Sequence, residues 1–558
     1  MTDADYTEFN AHGWRWTAQP SFCVVITGDL RVMSPQGAVV VKSGPARRVW
    51  RFDADVSGRL TEVFVKEYLL PDSKDRLRFL FQPSKAWHEF EKSRRAAARG
   101  ISVPEVLAVG AQRRGPLLVR SVIITRSLGG LPTLEACVSD RVATAPHREV
   151  RAFAESLARF LRRIHDAGIL HEDFHAGNVL VGGEPGAPVF HLIDVADISL
   201  GAPLSFRRRV ENLAVLDRFF SLVVPRHWRL RFLGMYFACG AIEPDRPGRD
   251  VAAASRRIED TARRGLRNLW AKRDARVYGN NKYYRHVHVG ALAGRARRTP
   301  EAAAALNLFE CGDPFARAEM ILKDSASSRV GVFAVDTPAG TRRIVIKKRK
   351  SQAGWKTLLD PFRASRAMKG FFYGAAFEHR RLPSPRVLAA LDCRRLGCID
   401  ASYLVSEYLE GAESLARCLA AGKSSPLFQR INADRNAFLS GLAHTLRRMH
   451  AYGFSMRDLK AANILVYPAA RGVAVSITDL DGVRMYPSGV PERRAMRDIA
   501  RLYYDAVHLG SVTRRESMWF LKCYLGTSGR EALSRWVSGV ARNLVRIRAL
   551  FAKKESAG

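Results

Sequence analysis

Acidic residues are scarce in this 558-residue chain: 54 Asp and Glu stand against 90 Lys and Arg, for a formal net charge of +36. An excess of that size implies an anionic partner, whether nucleotide phosphate, lipid head group, acidic glycolipid or nucleic acid. Long apolar runs are missing as well. No window approaches the roughly eighteen consecutive apolar residues that read as a bilayer-spanning helix. The start, MTDADYTEFNAHGW, has neither the basic n-region nor the apolar h-region of a secretory signal. Both absences predict a cytoplasmic protein. Cysteine is dilute, with eight residues at 23, 137, 239, 311, 393, 398, 418 and 523 and no CxxC pair, so neither a zinc site nor a redox dithiol is expected. What is present is ordinary globular composition, 47% hydrophobic and 26% charged, at a length that predicts two or more domains.

The chain repeats itself. LRRIHDAGILHEDFHAGNVLV (161–181) aligns without a gap on LRRMHAYGFSMRDLKAANILV (446–466), which pairs Asp173 with Asp458 and Asn178 with Asn463. The same register carries Asp194 in HLIDVAD onto Asp479 in SITDLDG. Upstream of one short insertion, which falls between about 138 and 160 in the numbering of the first copy and lengthens the second, another constant register pairs Lys66 in VFVKEY with Lys347 in IVIKKR, and VPEVLA with SPRVLA. A unit this long is a duplicated domain and not a solenoid repeat. The boundary is expected in HVHVGALAGRARRTPEAAAA (286–305), where apolar periodicity lapses.

Each copy lays out its patterns in one order. VVVKSGPARRVWRF (39–52) and MILKDSASSRVGVF (320–333) read as strand, turn, strand, a hairpin able to lie over phosphates. A strand carrying Lys66 or Lys347 follows, then a helix, a buried strand ending near Gly, and a helical half around the loop that bears Asp and Asn. Moving a γ-phosphoryl group is mostly positioning and charge neutralisation. A strand Lys can hold phosphates, the hard oxygens of Asn and Asp suit magnesium, and a loop Asp can accept the acceptor hydroxyl's proton. A lone D-x-x-x-x-N carries little weight, because Asp and Asn are common in turns. Here the loop Asp, the Asn, the second Asp and the upstream Lys all occur twice.

On HEDFHAGNVL and MRDLKAANIL, the strand ends IDVAD and TDLDG, and the late segments RRRVENLAVLDRFF and RRAMRDIARLYY, each half resembles the lipopolysaccharide kinase (Kdo/WaaP) family, a branch of the protein-kinase-like fold. The resemblance implies an α+β chain of two tandem bilobal domains, each with a small β-rich N-lobe and a helical C-lobe. The first is expected over 1–290 (N-lobe about 20–137, C-lobe about 138–290) and the second over 300–558 (N-lobe about 315–420, C-lobe about 421–558), with WAKRDARVYGNNKYYRH (270–286) closing the first. It implies ATP and Mg2+ as cofactors and a sugar hydroxyl of a lipopolysaccharide-core-like glycolipid as acceptor, met at the inner face of the inner membrane. Lys66 and Lys347 would bind ATP phosphates, Asp173 and Asp458 would be catalytic, and Asn178, Asp194, Asn463 and Asp479 would bind magnesium.

Some positions depart from the kinase pattern. Neither half has G-x-G-x-x-G, so Gly44 and the Ser-rich turn at 325–328 would have to meet phosphate through backbone N–H groups. Glu89, with Glu91 as the nearby alternative, is placed to pair with Lys66, whereas the same register lands on Gly370 in the second half. Two residues after the catalytic Asp stand His175 and Lys460: the first resembles sugar kinases, the second the γ-phosphate lysine of protein kinases. His171 and its counterpart Met456 read as packing residues, and alternation points Lys348 away from Lys347. The leading function is therefore ATP-dependent phosphorylation of a glycolipid or sugar, with an anionic membrane surface as partner. A Ser/Thr/Tyr protein kinase is the first alternative, and a nucleotide-binding pseudokinase scaffold in one or both halves the second. Nucleic acid is not expected, because no recognition motif accompanies the charge.

Overall fold

The computed structural model describes all residues except 1–5, 45, 71–78, 142–144, 185, 240–250, 311, 351–362, 396–397, 470–471, 510–511, 527–528 and 556–558; Cys311 thus lies outside the described residues. The chain divides into two compact units, Met1–Arg267 and Asn268–Gly558.

In the first unit seven strands form one antiparallel sheet: β1 (Thr7–Ala11), β2 (Trp14–Ala18), β3 (Val39–Ser43), β4 (Arg47–Val56), β5 (Arg59–Leu69), β6 (Val106–Arg114) and β7 (Leu117–Arg126), in the spatial order β1-β2-β6-β7-β5-β4-β3. Period-two patterning builds it. In β4, Trp50, Phe52, Ala54 and Val56 are buried while Arg51, Asp53 and Asp55 face solvent. The helix Lys85–Ala98, capped by the Ser84 hydroxyl accepting from Trp87 N–H, packs on β6 and β7 and buries Glu89 and Phe90. Below the sheet, helices His147–Asp166, Phe206–Val223 and Arg226–Ala238 enclose a core of Leu157, Leu161, Phe174, Leu213 and Tyr236.

The second unit repeats this plan strand for strand. Its sheet runs Tyr284–Val289, Leu292–Arg297, Val387–Arg395, Cys398–Glu407, Gly340–Lys350, Ser328–Thr337, Met320–Asp324 in space. The helix Arg366–His379, capped by Ser365, stands where Lys85–Ala98 stands in the first. Each unit is thus a bilobal protein-kinase-like α+β domain.

The first hairpin of each sheet lies outside the N-lobe limits expected from the sequence. β1 and β2 precede residue 20, and the hairpin Tyr284–Val289 with Leu292–Arg297 falls largely within 286–305, where the domain boundary is expected. Residues 270–286, read as the end of the first domain, fall in the second unit. There the Asp274 carboxylate accepts from Arg380 Nη2 at 2.8 Å and lies 2.8 Å from His379 Nδ1, a buried ion cluster at the end of the helix Arg366–His379. The sequence signal was weak because Gly290 and Gly294 interrupt the alternation.

That hairpin also shows how two copies of one fold pack differently. In the first sheet Trp16 stands opposite Gly110, and a Cβ on Gly110 would come within 2.6 Å of the indole. In the second, Gly294 stands opposite Leu391, and a Cβ on Gly294 would lie 2.0 Å from the Ala390 carbonyl oxygen. The bulky member has changed strands, and at Gly294 it is the close approach of the neighbouring backbone that leaves no room for a side chain.

One glycine in each unit ties the helical half to the site. Gly168 has φ +70° and a Cβ there would sit 2.1 Å from the Gly201 carbonyl oxygen; at Gly453 the values are +92° and 2.0 Å from that of Tyr486. Their own carbonyls accept from Gly201 and Tyr486 N–H, so the strand before the Asp loop is clamped to the strand after the second Asp. Gly168→Ala or Gly453→Ala should lower the stability of its unit by about 2 to 5 kcal/mol, from left-handed strain plus overpacking. Gly441→Ala, in open space on a helix, should raise it by about 0.5 to 1 kcal/mol. Thermal melts of the three variants check this, and a Gly168→Ala chain that melts like the wild type would contradict the clamp.

Candidate active sites

The loop after Gly168 is shaped by its own hydrogen bonds. His175 N–H donates to the Asp173 carbonyl (2.8 Å), Asn178 N–H to the His175 carbonyl (2.9 Å), and the Asn178 side-chain amide to the Asp173 carbonyl (2.9 Å). With Nδ2 committed to the Asp173 carbonyl, the Oδ1 of the buried Asn178 is the hard oxygen this side chain can offer a cation. The Asn178 carbonyl accepts from Ile193 N–H, which brings in Asp194 next along the chain. Asp173 itself is exposed, with His175 Nε2 at 3.7 Å. His171 is buried and stacks on Phe174; burial holds its pKa below the ordinary imidazole value.

From the sheet above, Lys66 on β5 reaches both remaining carboxylates, with Nζ 2.9 Å from Glu89 Oε1 and 2.6 Å from Asp194 Oδ1. Glu89, and not Glu91, is the partner; Glu91 faces Arg94. Tyr68, two residues along the same face, donates its hydroxyl to Glu89 Oε2, and burial with the Glu89 charge raises the phenol's pKa. Burial works to raise the Asp194 pKa, but Lys66 and Arg47 outweigh it and keep the carboxyl below the usual range. Asp194 also has φ +57°, left-handed for a residue with a Cβ, and Asp479 repeats this at +61°. Such strain persists only where the surroundings impose it.

The second unit reproduces the loop. Lys460 N–H donates to the Asp458 carbonyl, Asn463 N–H to the Lys460 carbonyl and Asn463 Nδ2 to the Asp458 carbonyl, each at 2.9 Å, while Thr478 N–H donates to the Asn463 carbonyl. Around the loop the partners differ. Asp458 has Lys460 Nζ at 3.1 Å and Arg501 Nε at 3.9 Å. Lys347 bonds Asp479 and has no helix carboxylate, since Gly370 stands in the Glu89 position, with Leu404 where a side chain would begin. Glu378 pairs with Arg297 instead. Arg349, in the register of Tyr68, donates from Nη2 to Asp479 Oδ1 (3.3 Å) and Asp481 Oδ2 (2.8 Å). For Asp479, Lys347 and Arg349 overcome the upward push of burial and hold the pKa low; burial and the Asp479 charge push Asp481 up. Lys348 points to the other face, over the Tyr403 ring.

Sequence reasoning missed Tyr68, Arg47, Arg349, Asp481 and Arg501. Two of these were within reach: Tyr68 and Arg349 lie two residues beyond the strand lysines and therefore on the same face. Arg501 comes from a distant helix that only the fold brings in. The Ser-rich turn offers less than expected, because Ser325 N–H donates to the Ser328 carbonyl and Ser328 N–H to Ser325 Oγ.

A model of the "Lipopolysaccharide kinase (Kdo/WaaP) family" matches residues 32–236 and again 316–524. The lipopolysaccharide core heptose(I) kinase WaaP of Pseudomonas aeruginosa is 30% identical over 160 residues, which cover 27% of this chain and 59% of that protein. The chain therefore spans little more than half of that relative's length. A solved structure titled "WaaP in complex with acyl carrier protein" is 23% identical, with a TM-score of 0.34, covering 45% of this chain and 98% of that one. With both matches taken together the family description accounts for most of the sequence, and the chain belongs to the lipopolysaccharide kinase (Kdo/WaaP) family, whose domain it carries twice.

Proposed function

We propose that the first unit transfers the γ-phosphoryl group of ATP to a sugar hydroxyl of a lipopolysaccharide-core-like glycolipid. The observation that carries this reading is the three-way contact of Lys66 with Glu89 and Asp194 beside the loop of Asp173 and Asn178. The oxygens available there fit magnesium. Among the described residues no group of three or more His, Cys, Asp or Glu is arranged to hold a metal, and magnesium bound through one or two protein oxygens plus phosphates needs none. Asn178 Oδ1 and the ionised Asp194 would hold it, and Lys66, steadied by Glu89, would bind the phosphates.

MgATP, when bound, supplies the phosphoryl group and the divalent charge. The chain's own part is to orient and to accept a proton. Asp173 is exposed at the loop's surface, where an incoming hydroxyl can reach it; it orients that hydroxyl and takes its proton as the oxygen attacks. His175 lies beside it to meet the acceptor or the phosphate. In the second unit Asp458, Lys460, Asn463, Asp479 and Lys347 hold the corresponding places.

A glycolipid acceptor also accords with the charge of +36, which favours an anionic membrane surface. Among the described residues no helix is long and apolar enough to cross a membrane, so a peripheral position at the cytoplasmic face is the reading that goes with this substrate. The decisive assay incubates the full chain with radiolabelled ATP, magnesium and a lipopolysaccharide-core glycolipid. Label in the glycolipid is expected; label in protein alone would favour the protein-kinase alternative.

Asp173→Asn should lower the transfer rate by about 10²- to 10⁴-fold while leaving the thermal shift produced by MgATP intact. Asp194→Ala should abolish the first unit's share of that shift, which at a hundred times the dissociation constant is about 2.7 kcal/mol. Glu89→Gln should weaken MgATP binding, because Lys66 then has only Asp194 to hold it. An Asp194→Ala chain whose first unit is still stabilised by MgATP would exclude the assigned metal role.

A further inference from the structure

The second site does not fit a divalent metal in the way the first does. In the first unit Lys66 is shared, so Asp194 can release it and Glu89 keeps it in place. In the second, Gly370 removes the helix carboxylate and the Leu404 side chain occupies the space. Lys347 bonds Asp479, and Arg349 bonds Asp479 and Asp481 together. The Arg349 side chain is only 18% exposed, and a guanidinium keeps its charge at any working pH. Asp194 also faces a second cation, Arg47, at 3.6 Å, but a metal ion at Asp479 would have to displace Lys347 and break the bridge by which Arg349 hydrogen-bonds Asp479 and Asp481 together in a mostly buried site. The candidate base differs too. Asp458 is flanked by Lys460 and Arg501, and Arg501 is itself held by Asp505. At Asp173 the facing side chain is His175, at 3.7 Å.

Resting on the kinase-like reading above, we infer that the second unit is a nucleoside triphosphate site that works without a divalent metal and transfers no phosphate, Arg349 supplying the fixed positive charge that the first site draws from magnesium. Lys347 and Lys460 meet the phosphates in this reading, and Arg349 neutralises the carboxylates that a metal would otherwise bridge. The nucleotide stays whole because its phosphates meet neither a divalent ion nor a free carboxylate base. The site is then a sensor of nucleotide carried on the same chain as a unit that consumes it.

The test uses the full chain carrying Lys66→Ala, which disables the first site, titrated with ATP by calorimetry in EDTA and again in excess magnesium. Binding is expected in both, with affinities within about threefold, less than the tenfold that 1.4 kcal/mol makes. Adding Arg349→Ala should weaken binding in EDTA by about 10- to 100-fold, the worth of lost charge-assisted hydrogen bonds. Arg349→Lys, which keeps the charge and loses the fork, should fall between, and unliganded melts of all variants show whether each is folded. Separately, Asp173→Asn alone should remove essentially all phosphate transfer. ATP binding only with magnesium, no binding in the Lys66→Ala chain, an Arg349→Ala variant as tight as its parent, or substantial transfer surviving Asp173→Asn would each overturn the inference. A wild-type chain that binds no nucleotide under any condition would overturn the kinase reading itself.

Discussion

A lysine on a central strand, held between a helix carboxylate and a loop carboxylate, is the contact on which the first unit's site is built. Lys66 joins the sheet, the Glu89 helix and the Asp194 turn, three elements far apart in the chain. Glu89 and Lys66 are mostly buried, and a buried charge left without its partner is costly. Loss of any one member therefore disturbs the other two. The left-handed backbone at Asp194 is part of the same arrangement, since it turns that carboxylate toward the lysine while the clamp at Gly168 fixes the neighbouring strand.

The second unit keeps the backbone of this arrangement and replaces its charges. The loop hydrogen bonds, the left-handed Asp479 and the clamp at Gly453 are all reproduced. What changes is which side chain answers which charge: a helix carboxylate is lost at Gly370, and Arg349 with Asp481 enters on the strand and the turn. Fold and ion pairing have separated, as expected when packing maintains the scaffold and chemistry resides in a few polar contacts.

Much of this was legible in the sequence because the duplication shows each signal twice. The order of strands, the loop and both Asp–Asn sets could be read from alignment of the halves, and the missing acid at Gly370 was visible as an absence. Three features were not legible. The hairpin at 284–297 hides behind glycines that break its alternation. Arg501 reaches Asp458 from a helix more than forty residues downstream, and no local pattern announces that. The pairing of Arg349 with Asp481 depends on the strand and the turn facing each other, which only the closed fold supplies.

The exchange of bulk between Trp16 opposite Gly110 and Gly294 opposite Leu391 bears on the duplication itself. A tandem repeat invites recombination between its copies. Here a crossover between the first hairpin and the strand it pairs with would set an indole against a leucine in one product and two glycines face to face in the other. One product would be overfilled and the other hollow. Either crossover product would therefore lose stability, a cost that favours chains whose two copies stay distinct.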